Sequence, residues 1–292
     1  MRKLIATTLL LLSSFAVSAA TINKGDVVAS PVPRPLMPEV FDAPMRVFDG
    51  NFTEKLTGET PFAGLVAADA IGNITFAGGN TLVRLDPMLQ ILQTTRLSEP
   101  AWSFAVTSSG DRTYLLGESG RLYVVRADGS LENFFALPDA AHEGNIDLAP
   151  NQCTLVYIDG AHHVRRFDVC NTTALPDIAP NATADYVRAL AEGGFAALNG
   201  RAIQFYDGTG RLTYTFNLPT IFAVGTLSFA FDSTPGAIWI GRGTATKIRL
   251  SNGAILGTVA TPFHTQAFAV VGEQRPNAYN VVTMPRRRSA SR

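Results

Sequence analysis

The stretch Val125-Arg126-Ala127-Asp128-Gly129-Ser130 carries the pattern that decides the fold. It leads from apolar strand residues into Asp-Gly, a pair that supplies the positive φ of a tight antiparallel hairpin. A short strand that contains Arg or Gln and ends in Asp or Ser before a turn occurs five more times. These copies are Met45–Asp49, Val83–Asp86, Arg165–Asp168, Gln204–Asp207 and Ile248–Ser251. The chain is therefore an internal repeat.

The repeat has a period of about 40 residues, since the copies end at residues 49, 86, 128, 168, 207 and 251. The intervals are 37, 42, 40, 39 and 44 residues. Two further apolar strands precede a typical copy and one follows it, so each unit predicts four antiparallel strands. Four-stranded units of about 40 to 45 residues that repeat around an axis are the blades of a β-propeller. A β-sandwich would contain many short strands but has no reason for such a period.

Incomplete units stand at the two ends of the repeat. The first copy and its outer strand lack two preceding strands, whereas Ala267–Val271 and Ala278–Val281 lack following partners. Pairing these orphans closes a six-membered ring and removes the exposed edges. The sequence therefore predicts an all-β, six-bladed β-propeller of four-stranded antiparallel blades over residues 44–283. It is closed by N-terminal outer strands that pair with C-terminal inner strands.

The N-terminus has the layout of a secretory signal peptide over residues 1–20. Met1-Arg2-Lys3 is followed by an apolar run, Leu4–Val17, and by the small residues Ser18-Ala19-Ala20, with cleavage expected after Ala19 or Ala20. No later stretch resembles a membrane span, so we expect a secreted or periplasmic protein. Residues 21–43 contain repeated proline between Ser30 and Pro38, which predicts an extended linker or strap.

Composition and charge exclude several classes of protein. The 46% hydrophobic content excludes a disordered chain, and the absence of a glycine at every third position excludes collagen. The 24 basic and 24 acidic residues give no indication of nucleic-acid binding. Residues 284–292 carry Arg286, Arg287, Arg288 and Arg292 and no acidic residue, a net charge of about +4. Without these four and without Arg2 and Lys3, the body of the chain has 18 basic against 24 acidic residues, a net charge of about −6. Such a tail can dock on anionic partners, but its small polar composition favours a solvated, disordered end.

Cys153 and Cys170 flank one predicted hairpin with its turn at Gly160–His162. If the turn centres between Ala161 and His162, each cysteine is eight positions from it, and the two face each other. Opposed strand positions bring Cβ atoms to ~4.5–5.5 Å, close to disulfide distance. In an oxidising compartment we expect a structural disulfide, because the helix-terminal activation of redox-active thiol pairs is missing.

Chemistry in a propeller normally lies at the mouth of the central channel, on loops that enter the innermost strands. The polar and aromatic residues predicted there are Glu59, Trp102, His142, Glu143, Asn145, Tyr186, Arg188 and His264. His142 and Glu143 could form an acid–base pair or a metal-ligand pair, with His264 facing them across the channel. The alternative is that all of these are ordinary polar loop residues.

Three short motifs resemble those of the SMP-30/gluconolactonase-like propellers. Gly58-Glu59-Thr60-Pro61 is similar to the Gly-Glu-x-Pro opening of their first blade, where the Glu is a metal ligand. Gly144–Pro150 resembles their Asn-Gly strand motif, which brings a second ligand, and Ile238-Trp239-Ile240 resembles Leu-Trp-Val. The resemblance implies one divalent ion, Ca²⁺ or Zn²⁺, held by Glu59 and Asn145. The repeat itself is also similar to that of secreted bacterial NHL and YVTN propellers.

Two functions follow from these patterns. The first is a non-catalytic extracytoplasmic propeller that binds a small-molecule ligand or a protein partner at the channel mouth, through Trp102, His142, Asn145, Tyr186, Arg188 and His264. The second, which the resemblance implies, is a metal-dependent lactonase or esterase with His142 or Glu143 assisting. We favour the first, because a rigid ring with variable loops is a good binding scaffold and the chain lacks the familiar hydrolase and phosphate-binding motifs.

Overall fold

The described residues of this computed structural model are 20–30, 44–58, 64–140, 144–222, 228–241, 244–260 and 267–281. They form 24 strands arranged in six sheets of four antiparallel strands each. The predicted all-β, six-bladed propeller is therefore confirmed, and the six repeat copies are the third strands of the six blades.

Blades 1 to 5 each consist of four strands that are consecutive in the chain, running from the channel outward. Blade 1 contains β4 (Leu65–Ala68), β5 (Ile74–Gly78), β6 (Thr81–Leu85) and β7 (Ile91–Arg96). Blade 2 contains β8 (Ala101–Val106), β9 (Arg112–Gly117), β10 (Arg121–Arg126) and β11 (Leu131–Ala136). Blade 3 contains β12 (Ile146–Leu148), β13 (Thr154–Ile158), β14 (Val164–Asp168) and β15 (Thr173–Leu175). Blade 4 contains β16 (Tyr186–Ala189), β17 (Phe195–Asn199), β18 (Ala202–Tyr206) and β19 (Leu212–Asn217). Blade 5 contains β20 (Ser228–Phe231), β21 (Ala237–Gly241), β22 (Thr244–Arg249) and β23 (Ile255–Ala260).

Blade 6 closes the ring with strands from both ends of the chain, in the order β24 (Ala267–Val270), β1 (Val27–Ser30), β2 (Met45–Phe48), β3 (Glu54–Gly58). Closure between N-terminal and C-terminal strands was predicted, but the second strand was assigned to the wrong segment. It is β1, whose Val27 pairs with Val270 on one side and with Phe48 on the other.

Two physical reasons explain this difference. Residues 27–30 lie within the segment predicted as a linker, yet all four are buried, so the propeller begins at Val27 rather than at residue 44. Residues 278–281 were predicted as a strand but belong to a turn, in which the Asn277 carbonyl accepts the Asn280 N–H and the Asn277 side chain accepts the Tyr279 N–H. Asn favours such turns because its side chain hydrogen-bonds the backbone two residues on.

The innermost strands of the six blades contact their neighbours in a closed circle around the channel. All six run in the same direction, because every blade repeats the same up-and-down order. We call the end at which they begin the mouth face and the end at which they finish the base face. The turns between the first and second strands, and between the third and fourth strands, lie on the base face.

Apolar side chains fill the wedges between blades. Between blades 4 and 5, Phe231 packs on Phe205 and Phe229 with ring centroids 6.4 and 5.8 Å away. Trp239 on β21 is fully buried, and its Nε1–H donates to Asp232 at 2.6 Å. Satisfying the indole N–H in this way removes the main cost of burying so large a side chain.

The Asp-ended turns form as predicted, with glycine where the backbone needs it. In blade 2 the positive φ of 83° falls on Gly129, directly after Asp128. In blade 4 it falls later, on Gly210 with a φ of 85°, and the Asp207 carboxylate accepts the N–H groups of Thr209 and Arg211. The turn aspartates thus cap their own loops.

Cys153 and Cys170 form the predicted disulfide, with 5.2 Å between their Cα atoms. The register differs from the prediction by one residue, because Thr154 pairs with Asp168 and the Val169 N–H donates to the Cys153 carbonyl. In the turn of this hairpin His162 has a φ of 65°. The observed register centres the hairpin on Ala161 rather than between Ala161 and His162. Cys170 therefore lies just beyond its strand, still within reach of Cys153.

Candidate functional site

The predicted site residues divide into two groups. Glu59, His142, Glu143 and His264 lie outside the described residues. Trp102, Tyr186 and Arg188 lie on the innermost strands β8 and β16, and Asn145 directly precedes β12. The second group therefore lies on or beside the innermost strands of blades 2 to 4.

Asn145 links two blades through the backbone. Its Oδ1 accepts the Val187 N–H of β16 at 2.5 Å, and its Nδ2 donates to the Ile146 carbonyl at 3.2 Å. In the same way the Ser103 hydroxyl of β8 accepts the Ile146 N–H at 3.0 Å. Innermost strands have no neighbouring strand on the channel side, so side chains satisfy these buried backbone groups. The oxygen predicted to bind a metal is thus a hydrogen-bond acceptor for the next blade.

Asp147 repeats this linkage two residues further along β12. Its Oδ2 accepts the Ala189 N–H at 2.8 Å, and its side chain is almost fully buried. Arg275 donates to both carboxylate oxygens of Asp147, at 2.9 Å from its Nη2 to Oδ1 and through its Nη1 to Oδ2. Such a bidentate pair is the strongest geometry available to a guanidinium and a carboxylate.

Arg188 and Glu273 complete a channel ion cluster, which we define as Asp147, Arg188, Glu273 and Arg275. The Arg188 Nη1 lies 3.5 Å from Asp147 Oδ1, and its Nη2 donates to Glu273. Glu273 Oε1 in turn accepts the Phe231 N–H of β20 at 2.6 Å. Two carboxylates and two guanidiniums balance one another, and two of the four side chains also hold backbone amides of neighbouring blades.

Burial and charge act in opposite directions on the cluster's titrating groups. Burial alone would raise the pKa of Asp147, but Arg188 and Arg275 outweigh it and hold that pKa below its ordinary value. Burial alone would lower the pKa of Arg188, but Asp147 and Glu273 more than offset it and raise that pKa. Asp147 and Arg188 are therefore both charged at neutral pH.

The segment of residues 271–281 brings Glu273 and Arg275 to the cluster and lies at the base ends of blades 4, 5 and 6. After β24 it passes blade 5, where the Gln274 N–H donates to the Asp232 carbonyl at 3.0 Å. It then reaches blade 4, where the Pro276 carbonyl accepts the Ala191 N–H at 3.2 Å and the Ala278 carbonyl accepts the Thr213 hydroxyl at 2.8 Å. We call residues 271–281 the base segment, which together with the ion cluster ties the base ends of blades 3, 4 and 5 to the chain after β24.

Aromatic residues stand on the mouth side of the same strands. Tyr186 begins β16 and packs edge-on against Phe229 with ring centroids 5.6 Å apart. Burial raises the pKa of the Tyr186 hydroxyl, with Arg188 opposing the shift, so Tyr186 stays neutral at physiological pH. Trp102 lies at a bulge between Ala101 and Ser103 on β8 and is 40% exposed.

The sequence predicted Arg188 as a site residue but not the other members of the ion cluster, Asp147, Glu273 and Arg275. A local signal existed, because Asn145 and Asp147 alternate on one innermost strand, as do Tyr186 and Arg188 on the next. The contacts join Arg188 to Glu273 and Asp147 to Arg275, which lie 85 and 128 positions apart, and no pattern within a strand predicts them. Over the described ranges no three His, Cys, Asp or Glu side chains are placed to hold a metal ion together.

Comparison with known proteins supports the fold alone. No model of a protein family matches the sequence, and no curated protein matches it. A crystal structure of a protein of unknown function from Bacteroides caccae is similar, with a TM-score of 0.63 and 11% sequence identity. The match covers 85% of this chain and 98% of that one. No helix long and apolar enough to cross a membrane occurs in the part of the chain that the structure describes. The propeller architecture is thus shared, while the resemblance to NHL, YVTN and SMP-30 propellers stays a prediction.

Proposed function

We propose that the protein is a non-catalytic binding ring that takes a ligand at the mouth of its channel. The observation that carries this proposal is the contrast between its two tryptophans. Trp239 is completely buried, whereas Trp102 on an innermost strand leaves 40% of its surface exposed. Aromatic side chains are common among the residues that line ligand sites.

The base side of the channel supports the same interpretation. Asp147 and Glu273 are each engaged by an arginine and by a backbone amide, so their carboxylates are used to hold blades 3, 4 and 5 in position. Carboxylates that are held in this way are not available to a ligand. We therefore place the ligand at the mouth end of the channel.

The chemistry of the mouth indicates a ligand with a flat apolar ring face. Trp102 and Tyr186 offer aromatic surface, and both the indole N–H and the phenol hydroxyl can hydrogen-bond polar substituents. The positive charge of Arg188 is already balanced by two carboxylates, so charge alone would not select the ligand. Aromatic compounds and sugars both have suitable ring faces.

Saturation-transfer NMR with indole, phenol and N-acetylglucosamine as separate probes tests this proposal. We expect at least one probe to receive saturation from the protein, and Trp102→Ala to abolish the transfer. Phe134→Ala is the matched control, because Phe134 is also exposed on blade 2 but lies on the outermost strand β11. Equal transfer in wild type and Trp102→Ala, or none with any probe, would contradict the proposal.

The hydrolase alternative has its own outcome in the same sample. Elemental mass spectrometry that finds one Ca²⁺ or Zn²⁺ per chain, together with lactone or ester turnover that Glu59→Gln abolishes, would replace the binding proposal. Asn145→Ala is less informative, because it also removes the acceptor of the Val187 N–H and loosens two blades.

A further inference from the structure

The wedge between blades 1 and 2 contains a polar cavity near the base face, where Gly110 of a blade 2 turn lines it. Buried apolar side chains, among them Leu115 and Val125, fill another part of this wedge. The cavity has a volume of about 10 Å³, which is room for one particle of about the size of a water molecule. Six of its nine lining residues are polar or basic and none is acidic. The six are Thr75, Arg84, Gln93, Thr95, Thr113 and Arg126.

Two of the lining threonines are buried without a hydrogen bond from their side chains. Thr75 on β5 is 3% exposed, and Thr113 on β9 of the facing blade is 7% exposed. Neither hydroxyl has a hydrogen-bond partner among the residues that the structure describes. Burying a hydroxyl in this way is costly unless something else satisfies it, so the pair indicates a small polar guest in the cavity.

The two charged residues of the lining are both arginines, one from each blade. The Arg84 Nη2 lies 3.5 Å from Asp69 Oδ2, and the Arg126 Nη2 lies 3.3 Å from Glu132 Oε1. Both distances are longer than the roughly 2.7–2.9 Å of a charge-assisted N–H···O bond. A guanidinium has five N–H donors, so each arginine keeps donors for a further partner.

The carboxylates beside the cavity are held mainly by other groups. Asp69 Oδ1 accepts the Asn73 N–H at 2.9 Å, and its Oδ2 accepts the Asn73 side-chain amide at 2.7 Å. Glu132 Oε2 accepts the Arg112 Nε–H at 2.8 Å. Asp69 and Glu132 therefore balance the charge of the two cavity arginines only in part.

We propose that this cavity binds one monovalent anion of the size of chloride, which links blade 1 to blade 2. Arg84 and Thr75 donate to it from one blade, and Arg126 and Thr113 donate from the other. A water molecule satisfies the hydroxyls alone, whereas an anion also uses the charge of both guanidiniums. The volume excludes phosphate, sulfate and organic acids. The cavity is separate from the channel mouth, so the anion site does not depend on a ligand there.

Broadening of the ³⁵Cl NMR line tests the proposal, because chloride bound to a protein relaxes faster than free chloride. The exported protein is titrated with sodium chloride in sodium gluconate at constant ionic strength, since gluconate is too large for the cavity. We expect saturable broadening, with the affinity for chloride reduced about tenfold by Thr75→Val and at least as much by Arg126→Gln. Arg121→Gln is the matched control, because Arg121 is an exposed arginine of the same strand, β10, that does not line the cavity.

Thermal unfolding in the same two salts gives an independent readout. Chloride should raise the unfolding temperature of the wild type above its value in gluconate, and should raise that of Arg126→Gln less. Cooperative unfolding in gluconate shows that each variant is folded before chloride is added.

Three results would overturn the proposal. Broadening that does not saturate, with no chloride-dependent stabilisation, would leave water as the partner of the two hydroxyls. Equal chloride affinity in wild type, Thr75→Val and Arg126→Gln would place any bound chloride elsewhere. A loss of affinity in Arg121→Gln as large as that in Arg126→Gln would show a general attraction to surface charge.

Discussion

At the scale of single residues, the channel depends on side chains that replace missing backbone partners. Asn145 and Asp147 lie two positions apart on one strand edge and accept the N–H groups of Val187 and Ala189, also two apart, on the next. This spacing follows from the period of two along a strand. The alternation of Asn145 and Asp147 is visible in the sequence. The backbone N–H groups that donate to them cannot be read from it.

Asp147→Asn is expected to destabilise the protein mainly through charge. The amide can still accept the Ala189 N–H, but Arg188 and Arg275 are left with Glu273 as their shared counter-ion. Breaking a buried ion pair typically costs about 3 to 5 kcal/mol, and we expect a loss near the lower figure at neutral pH. Urea unfolding of the two proteins measures it.

The same pair of proteins should also differ in pH dependence. The pKa of Asp147 is lower in the folded protein than in the unfolded chain. Its stabilisation is therefore complete above about pH 4, the ordinary pKa of aspartate, and is lost as the pH falls through the folded pKa. The wild-type advantage over Asp147→Asn should shrink in urea titrations below about pH 4. An advantage that stays constant down to about pH 3 would contradict this role.

Gly210→Ala tests the glycine at the end of the Asp207 turn. A Cβ at Gly210 would lie 1.5 Å from the Ile178 carbonyl oxygen, at a φ of 85°. Gly200→Ala is the matched control, since Gly200 has a φ of 56° but no atom within 4 Å of the added Cβ. We expect about 1 kcal/mol of destabilisation for the control and at least about 2 kcal/mol for Gly210→Ala. Equal thermal shifts would show that the steric contact is unimportant.

At the scale of elements, the base segment is the feature that joins blades 4, 5 and 6 after the last strand. Its partners are the Asp232 carbonyl, the Ala191 N–H, the Thr213 hydroxyl and the ion cluster. The sequence predicted a strand here, at Ala278–Val281, as one of the two unpartnered strands at the C-terminal end of the repeat. The Asn277 turn prevents pairing, and the segment lies across the base face instead.

A double-mutant cycle with Asp147→Asn and Arg275→Gln measures how strongly this segment is attached. The pair is buried and bidentate, so we expect a coupling free energy above about 1 kcal/mol. The exposed pair Arg46–Glu54, with 2.9 Å between Nη1 and Oε2, should give less than about 1 kcal/mol in the same measurement. If the two couplings are equal, the segment is not held by the cluster.

The disulfide of blade 3 belongs to the same scale. It joins two residues separated by 17 positions across the hairpin of β13 and β14. Replacing both cysteines with serine should reduce the free energy of unfolding by about 3 kcal/mol, chiefly by releasing the unfolded chain. Chemical denaturation with and without a reductant checks this value. The reduced wild type and the double variant both lack the bond. Any difference in their free energies of unfolding therefore measures the change of side chain from cysteine to serine.

At the scale of the whole molecule, the repeat was sufficient to predict the architecture. It did not predict most of the residues that form the ion cluster. The third strands and their turns recur in sequence because every blade needs the same local structure. The closing strand β1 escaped prediction because it is only four residues long and leads into a proline-rich segment. The ion cluster escaped prediction because Asp147 meets Arg275 only after the ring has closed.

The central claim is that a ligand binds beside Trp102 at the channel mouth. The most direct measurement is ¹⁹F NMR of protein labelled with 5-fluorotryptophan, because the chain contains two tryptophans in opposite environments. Trp102→Phe assigns the signals. We expect a ring-bearing probe to shift the Trp102 signal and to leave that of the buried Trp239 unchanged. A Trp102 signal that no aromatic or sugar probe moves, or a shift confined to Trp239, would contradict it.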